Sequence, residues 1–470
     1  MTSPRPPARR SRLPALGVGI LLVVGALAGA TAYTSSQTVQ TQQDLTRTLE
    51  AQLEATGYAS VQSSTYQRGL LNSTQTMNVT LGKGEEKVAV TVINHIQHGP
   101  LPGFRAVGNA VVDTEVRFAD PALQTRLEKA FGNQKPTIRT VVGLGGATST
   151  HLDVPAGRLT EGSGDERATL SWQPMIGDVQ NGGLKSSTRL TWPEFKVASE
   201  AGTLTISGMA VDGDTLKAKM DDPLGVGKQM LTLKSATYTA APSTSQGALS
   251  LTDLKVSSAS TLSDGFYGGS VQYNIGQLGF SAPGGGAQNL KVQSLKNVQF
   301  HLSLGHLSQE PLARIMTTIQ TLGQQARGDG ETPDLTEAQQ QALTDDALAL
   351  LRGGPIFAID RLSLTQPSGD IVLTGKVEVP GASDLDAETA QMLVSSPALA
   401  LGMVKVQAQL KAAEPALQEL LGTLAPDAAA GIESLIDIGY LERQGNDLVS
   451  NLAFGGGEAT VNGQALGGGF

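Results

Sequence analysis

Along most of the chain, hydrophobic and polar residues alternate with a period of two, as strands with one buried face require. Val88-Ala-Val90-Thr-Val92-Ile93 is a β-branched run of this kind. Leu204 with Ile206, Leu249 with Leu251, and Val271, Tyr273 and Ile275 repeat the pattern. It recurs at Leu290 and Val292, and in the set Val298, Phe300, Leu302 and Leu304. Ile371, Leu373, Val377 and Val379 then alternate with Thr374, Lys376 and Glu378. Gly, Asn, Asp and Pro separate these runs at short intervals, as in Gln366-Pro-Ser-Gly-Asp370, and such residues make turns. The pattern predicts a long antiparallel β meander.

The period changes in the C-terminal third. Leu312, Ile315, Met316, Ile319 and Leu322 recur at helical spacing behind Ser308, a candidate N-cap. A stripe that wide has to cover something, and the flanking strands offer the nearest apolar surface. Gln324 to Asp334 is polar and glycine-containing, so a loop is expected there. Thr336-x-x-Gln339 is a capping box that opens a second helix through Leu351, stopped by Gly353-Gly354-Pro355. Ser383-x-x-Asp386 starts a third, and Glu414–Leu421 with Pro426–Ile438 form a helical pair. Leu448–Phe454 and Glu458–Asn462 make a terminal hairpin, followed by a loose tail at Gly467–Phe470. The expected fold is therefore mainly β with α insertions (α+β), its helices packed on the sheet in the C-terminal third.

The first stretch differs from everything after it. Leu13 to Tyr33 carries no charge and is long enough to cross a hydrocarbon core of about 30 Å as one helix. Arg5, Arg9, Arg10 and Arg12 precede it, and no charge follows until Asp44. That asymmetry predicts a transmembrane helix in the cytoplasmic membrane, with the N-terminus inside and the bulk of the chain periplasmic or otherwise extracytoplasmic. A cleaved signal peptide is the rival, with Ala28-Gly29-Ala30 or Ala30-Thr31-Ala32 as cleavage site. The apolar run exceeds a usual signal core, and Leu45, Leu49 and Leu53 continue on one helical face towards Gly57, which favours the anchor. The expected organisation is a basic tail (1–12), a transmembrane helix (13–33) and a helical stalk (34–57). A β-rich region (58–306) and an α+β region (307–470) continuing the same body follow.

Composition narrows the functional classes. The 470 residues include no cysteine, which excludes disulfides and thiolate metal sites. A net charge of −9 argues against nucleic acid as a partner. Glycine (56 residues) and proline (22) follow no collagen-like period and read as turns between many short elements.

Candidate chemistry is sparse. His95-Ile-Gln-His98 has a metal-like spacing, but residues three apart on a strand face opposite sides, so the expected role is structural. Gly143-Leu-Gly145-Gly146 follows a strand, yet the next residues are not helical and a hairpin or bulge glycine cluster is expected. Arg68 suits an ion pair or a phosphate contact beside a tight turn at Gly69. Asp221-Asp222 and Asp345-Asp346 read as solvated charge. No hydrolase elbow, zinc-protease motif or phosphate loop is present, so no catalytic, cofactor or metal residue is assigned.

Three places resemble the YdgA-like family of bacterial envelope proteins, a domain of unknown function. They are Tyr66-x-Arg68-Gly69-Leu70-Leu71-x-Ser73, His98-Gly99-Pro100-Leu101-Pro102, and the C-terminal order of helices, Gly439-Tyr-Leu441, a strand and Val461-Asn462-Gly463. The resemblance marks Tyr66, Arg68, Gly69, Ser73, His98, Gly99, Pro100, Asn462 and Gly463 as motif positions with a structural role expected. It implies an envelope location without an established activity or cofactor. The leading expectation is a binding or scaffolding protein, tied to the bilayer through Leu13–Tyr33, with a lipid, an acyl chain or another envelope protein as partner. The alternative is a hydrolase or other envelope enzyme whose site no motif reveals. An open apolar sheet face would favour lipid; a cleft lined by Asp, Glu or His would favour the enzyme.

Overall fold

The structure is a computed structural model that describes residues 59–82, 87–132, 134–162, 167–219, 222–241, 247–281, 293–329, 335–380, 404–424 and 431–466. The chain divides into two units. The first comprises residues up to Asp214 with Ala236–Gln246; the second comprises Thr215–Ser235 with Gly247 onward.

In the first unit a meander runs through β1 (Ala59–Gln67), β2 (Asn72–Leu81), β3 (Val88–His98), β4 (Ala110–Phe118), β5 (Thr137–Val142) and β6 (Thr148–Val154). Each pairs antiparallel with the next. The next strands are β7 (Gly157–Glu161), β8 (Ala168–Trp172), β9 (Met175–Asn181) and β10 (Lys185–Ser199). Strand β9 lies between β6 and β10, and β10 also pairs with β8, which pairs with β7. Strict alternation sends Met77, Val79, Val90, Val92, Ile138 and Leu152 into one core. Polar residues on the buried side pair among themselves: Asn94 bridges Gln75 and Thr114, and Thr140 bonds Thr150. Helix α1 (Pro121–Ala130) rides over this sheet because Asp120 caps it and Leu123 and Leu127 share its buried face.

The strand β11 (Gly202–Lys217) and the strand β12 (Gly225–Ala240) contain the unit boundary. In the second unit β13 (Ala248–Ser263), β14 (Phe266–Ser281), β15 (Gln293–Ser308), β16 (Ile356–Gln366), β17 (Gly369–Glu378) and β18 (Lys405–Ala413) pair in sequence order, all antiparallel. Then β18 pairs with β20 (Asp447–Gly455), β20 also with the short β19 (Glu442–Gln444), and the ladder continues through β21 (Glu458–Val461) and β22 (Gln464–Ala465). Helix α2 (Gln309–Asp329) and α3 (Glu337–Arg352) join β15 to β16; α4 (Glu414–Leu424) and α5 (Ile432–Asp437) lie between β18 and β19. The core is Ile371, Ala412 and Leu448 from the sheet with Ala416, Leu417 and Ile432 from α4 and α5.

The expected α+β body is therefore corrected. Among the described residues the protein is mostly a large antiparallel β sheet, 62% strand against 17% helix. Strands β10 to β15 run 15 or 16 residues each, far beyond the few apolar residues that marked β11, β13, β14 and β15, while β10 and β12 carried no mark in the sequence. Among the described residues no helix is long and apolar enough to cross a membrane. Leu13–Tyr33, the stalk, Leu290–Val292 and Ser383–Asp386 lie outside the described residues. Helices α4 and α5 do pack on the sheet, but the expected packing of the Leu312–Leu322 stripe is corrected. The capping box at Thr336 and Gln339 forms, but α3 pairs with α2 through Arg314 to Asp346, and the α2 stripe stays half-buried with Ile319 53% exposed. Helix α2 also runs on to Asp329, through residues expected to form a loop.

These burials set unequal costs. Leu448→Ala, at a fully buried core position, should destabilise the protein by about 2–5 kcal/mol in urea unfolding. Ile319→Ala should stay within about 0.5 kcal/mol, as exposed positions do. Equal losses at both sites would mean that the α2 stripe is buried after all.

Candidate functional site

Opposite residues of antiparallel strands share a face, so register alone sorts the second unit's side chains. Tyr273 stands opposite Phe300, Phe300 opposite Leu362, Leu362 opposite Leu373, and Leu373 opposite Leu410. Two residues along, Val271, Leu302 and Ile359 form a second row, reaching Leu452 by way of Gly375 and Ala408. A third contains Leu304, Phe357, Val377, Val406 and Phe454. A bulge at Asp360 keeps both halves of β16 in phase with this face.

The other face is polar and bonded to itself. His301 Nε2 lies 2.9 Å from Asn274 Oδ1, Ser363 donates to Gln299, Gln409 donates to Asn451, and Lys376 pairs with Glu378. Around Ile371, Ala412 and Leu448 the apolar face is covered by α4 and α5. Further along it is open: Tyr273, Leu304, Phe357, Leu362 and Leu452 are each 38–44% exposed.

The described residues enclose a depression of about 440 Å³ and another of about 610 Å³. The 610 Å³ depression lies on the open apolar face, with Val271, Leu302, Leu304 and Phe357 beneath it. Lys217 is the charged residue of its lining, with Gln229, Ser258, Ser260 and Tyr267 beside it. Ser260 and Tyr267 both donate to the Gly225 carbonyl, which fixes that edge. The 440 Å³ cavity lies in the first unit beside α1, lined by Phe118, Leu127, Phe131 and Ile138 together with the charged Asp113, Glu115, Glu128, Lys135 and Arg139.

The motif residues named from the sequence gather elsewhere, at one end of the first unit. Ser73 Oγ lies 2.8 Å from His98 Nε2, so the Tyr66–Ser73 and His98–Pro102 segments meet side by side. The Gly69 N–H donates to Ser73 Oγ, and the His98 N–H to the Leu71 carbonyl. Gly69 has to be glycine here, because a Cβ would sit 2.1 Å from the Asn72 carbonyl oxygen. Gly99 takes φ +113°, and Pro100 accepts from the Gly108 N–H. Tyr66 packs on Ile96, Ala110 and Val142, while Arg68 is exposed.

This Ser–His pair is a clasp. Ser73 is buried, and no carboxylate bonds His98 among the described residues. Burial first, then the Arg68 charge, holds the His98 imidazole below its ordinary pKa. His95 faces away, with its Nε2 3.8 Å from Glu115. Among the described residues no three His, Asp or Glu side chains group to hold a metal ion. Asn462 and Gly463, both at positive φ, form the two-residue turn between β21 and β22, and Asn462 also ties Asn451 to the Gly439 carbonyl.

Residues 143–147 close the β5–β6 hairpin, with the Gly143 N–H on the Ala147 carbonyl. Asp346 departs from its reading as solvated charge: it is buried and bonds Arg314 at 2.6 Å. Asp221 lies outside the described residues, and Asp222 accepts from the Leu224 N–H. Lys217 and the rows on β16 and β18 went unmarked in the sequence. Val406, Ala408, Leu410 and Ala412 do alternate with Lys405, Gln407, Gln409 and Lys411, a signal weakened by two alanines.

The lowered His98 value has a signed consequence. The unfolded chain takes up this proton more readily than the folded one, so stability falls as pH drops. The His98 contribution is complete above pH about 6.5 and is lost as pH falls through the lower folded-state value. The His98 ring signal should titrate in NMR with a midpoint below 6.5, and His98→Gln should flatten the slope of stability over that range. A midpoint above 6.5 would contradict the burial argument.

No curated protein and no solved structure matches the chain. A family model described as a bacterial protein of unknown function (DUF945) matches residues 13–467. Spanning nearly the whole sequence, that match shows that the chain belongs to the DUF945 family.

Proposed function

We propose that the chain is a binding protein of the bacterial cell envelope, of the YdgA-like kind its motifs resemble, and that it carries an acyl chain on the open apolar face of β14–β18 and β20. The single observation behind this is the set of apolar rows, aligned by register and left two-fifths exposed. An acyl chain makes no hydrogen-bonding demand, so such a surface suits it. Lys217, at the edge of the 610 Å³ depression, is the cation that meets an anionic headgroup. Exposed apolar area of this extent on a folded protein calls for an occupant. The arginines ahead of residues 13–33 support a site of action outside the cytoplasm.

Mass spectrometry of lipids extracted from the purified full chain tests the proposal. Wild type should carry acyl lipid at near-stoichiometric level. Leu304→Gln with Phe357→Gln should lower it several-fold without shifting the melting temperature, since both side chains are surface-like. Lys217→Gln should reduce the anionic share of what remains. Lipid no higher than in a detergent-matched control, or undiminished in the double variant, would refute the acyl site. Loss of a co-purifying protein in the double variant, with no lipid in wild type, would indicate a scaffold instead.

A further inference from the structure

The motif-bearing end of the first unit also displays an apolar surface that its fold does not use. Four loops meet there, and hydrogen bonds join them in order. The β1–β2 turn (68–71) bonds the end of β3 through Leu71 and His98, and Asn109 of the β3–β4 loop (99–109) donates to the Val142 carbonyl and to Leu144 of the β5–β6 turn (143–147). Thr148 pairs with Asn181, which places the β9–β10 turn (182–184) next. Leu70 is 94% exposed and Phe104 93%, and Leu71, Leu101, Val107 and Leu144 are each more than half exposed. Phe104 takes φ +58°, a costly conformation for a bulky side chain, yet it points away from every core cluster.

The charge around these tips has one sign. Residues 68–71, 99–109, 143–147 and 182–185 contain no Asp or Glu, whereas the whole chain is −9. Arg68 has no carboxylate partner among the described residues, and Lys185 begins β10 beside Leu184. Arg105 shares the single carboxylate of Asp113 with Arg139, leaving that trio net positive.

We infer that this end of the first unit docks on an anionic lipid bilayer, with Leu70, Leu101, Phe104 and Leu144 entering the acyl boundary and Arg68, Arg105 and Lys185 meeting headgroup phosphates. Side chains on separate loop tips with cations beside them match the layered polarity of a bilayer surface. They do not line a groove that would grip a single helix or strand. Long arginine side chains keep their charge at the headgroups while neighbouring apolar groups sink deeper. These loop tips belong to the first unit, whereas the proposed acyl site belongs to the second.

The absence of cysteine makes the test clean. Phe104→Cys, Leu144→Cys and, as a control on the exposed side of α1, Thr125→Cys would each carry a polarity-sensitive fluorophore in the full chain. Vesicles of phosphatidylglycerol with phosphatidylcholine should shift the emission at 104 and 144 to the blue and raise it several-fold, leaving 125 unchanged. Phosphatidylcholine alone, or Arg68→Gln on the Phe104→Cys background, should give a distinctly smaller response. Vesicles that sediment with the chain while both tip labels stay water-like would overturn the inference, because another segment would then hold the lipid. A blue shift that needs no vesicles and grows with protein concentration would overturn it in favour of contact between copies.

Discussion

Antiparallel pairing is the constraint from which the rest follows. Each ladder bond fixes which residues stand opposite one another, and opposite residues must share a face. Once Tyr273 faces Phe300 and Leu304 faces Phe357, the apolar residues of six strands have no choice but to form one surface. A slip of one residue would move every one of them to the polar face, where His301 bonds Asn274 and Gln409 bonds Asn451. Those cross-strand polar pairs hold the register that the exposed apolar face cannot enforce by burial.

One sheet face thus serves two ends. Under α4 and α5 it closes into the Ile371–Ala412–Leu448 core, where burial contributes to stability in the ordinary way. Beyond them the same alternation continues without a cover over Tyr273, Leu304 and Phe357. Stability does not require this extension, since half-exposed Leu and Phe contribute only part of their transfer free energy. What the extension adds is an area of contact that needs no polar partner, which is why its occupant, and no catalytic group, defines the functional reading.

Local signals were the most legible in the sequence. The Thr336–Gln339 capping box acts within four residues and forms as read. Helix α1 went unread although Asp120-Pro121 and the Leu123–Leu127 spacing announce it. The lengths of β10 to β15 were hidden by Ser, Thr and Gly at positions that cross-strand pairing supports whatever the side chain. Long-range partners were the least legible. Nothing near Asp346 in the sequence points to Arg314, 32 residues away, and Ser73 and His98 are 25 residues apart. Arg314 and Asp346 meet between two helices and Ser73 and His98 between paired strands, so both depend on elements that only the folded chain brings together.

The Ser73–His98 clasp shows why motif residues and exposed residues alternate so closely. Its atoms secure the bases of two loops: Gly69 bonds Ser73, His98 bonds Leu71, and Gly108 returns to Pro100. Pro102 is buried beneath the second loop, and Asn109 ties that loop to the next hairpin. The loop bases are therefore fixed within the sheet's hydrogen bonding, while Leu70 and Phe104 project a few residues beyond them. Tips held in this way lose little conformational freedom on meeting a surface, so more of the transfer free energy of each Leu or Phe, about 1.5–3 kcal/mol when fully buried, remains as affinity. A lowered His98 pKa belongs to the same arrangement: the clasp works with a neutral imidazole, and a charged one would stand beside Arg68. Rigid bases and free tips are thus two consequences of one set of bonds.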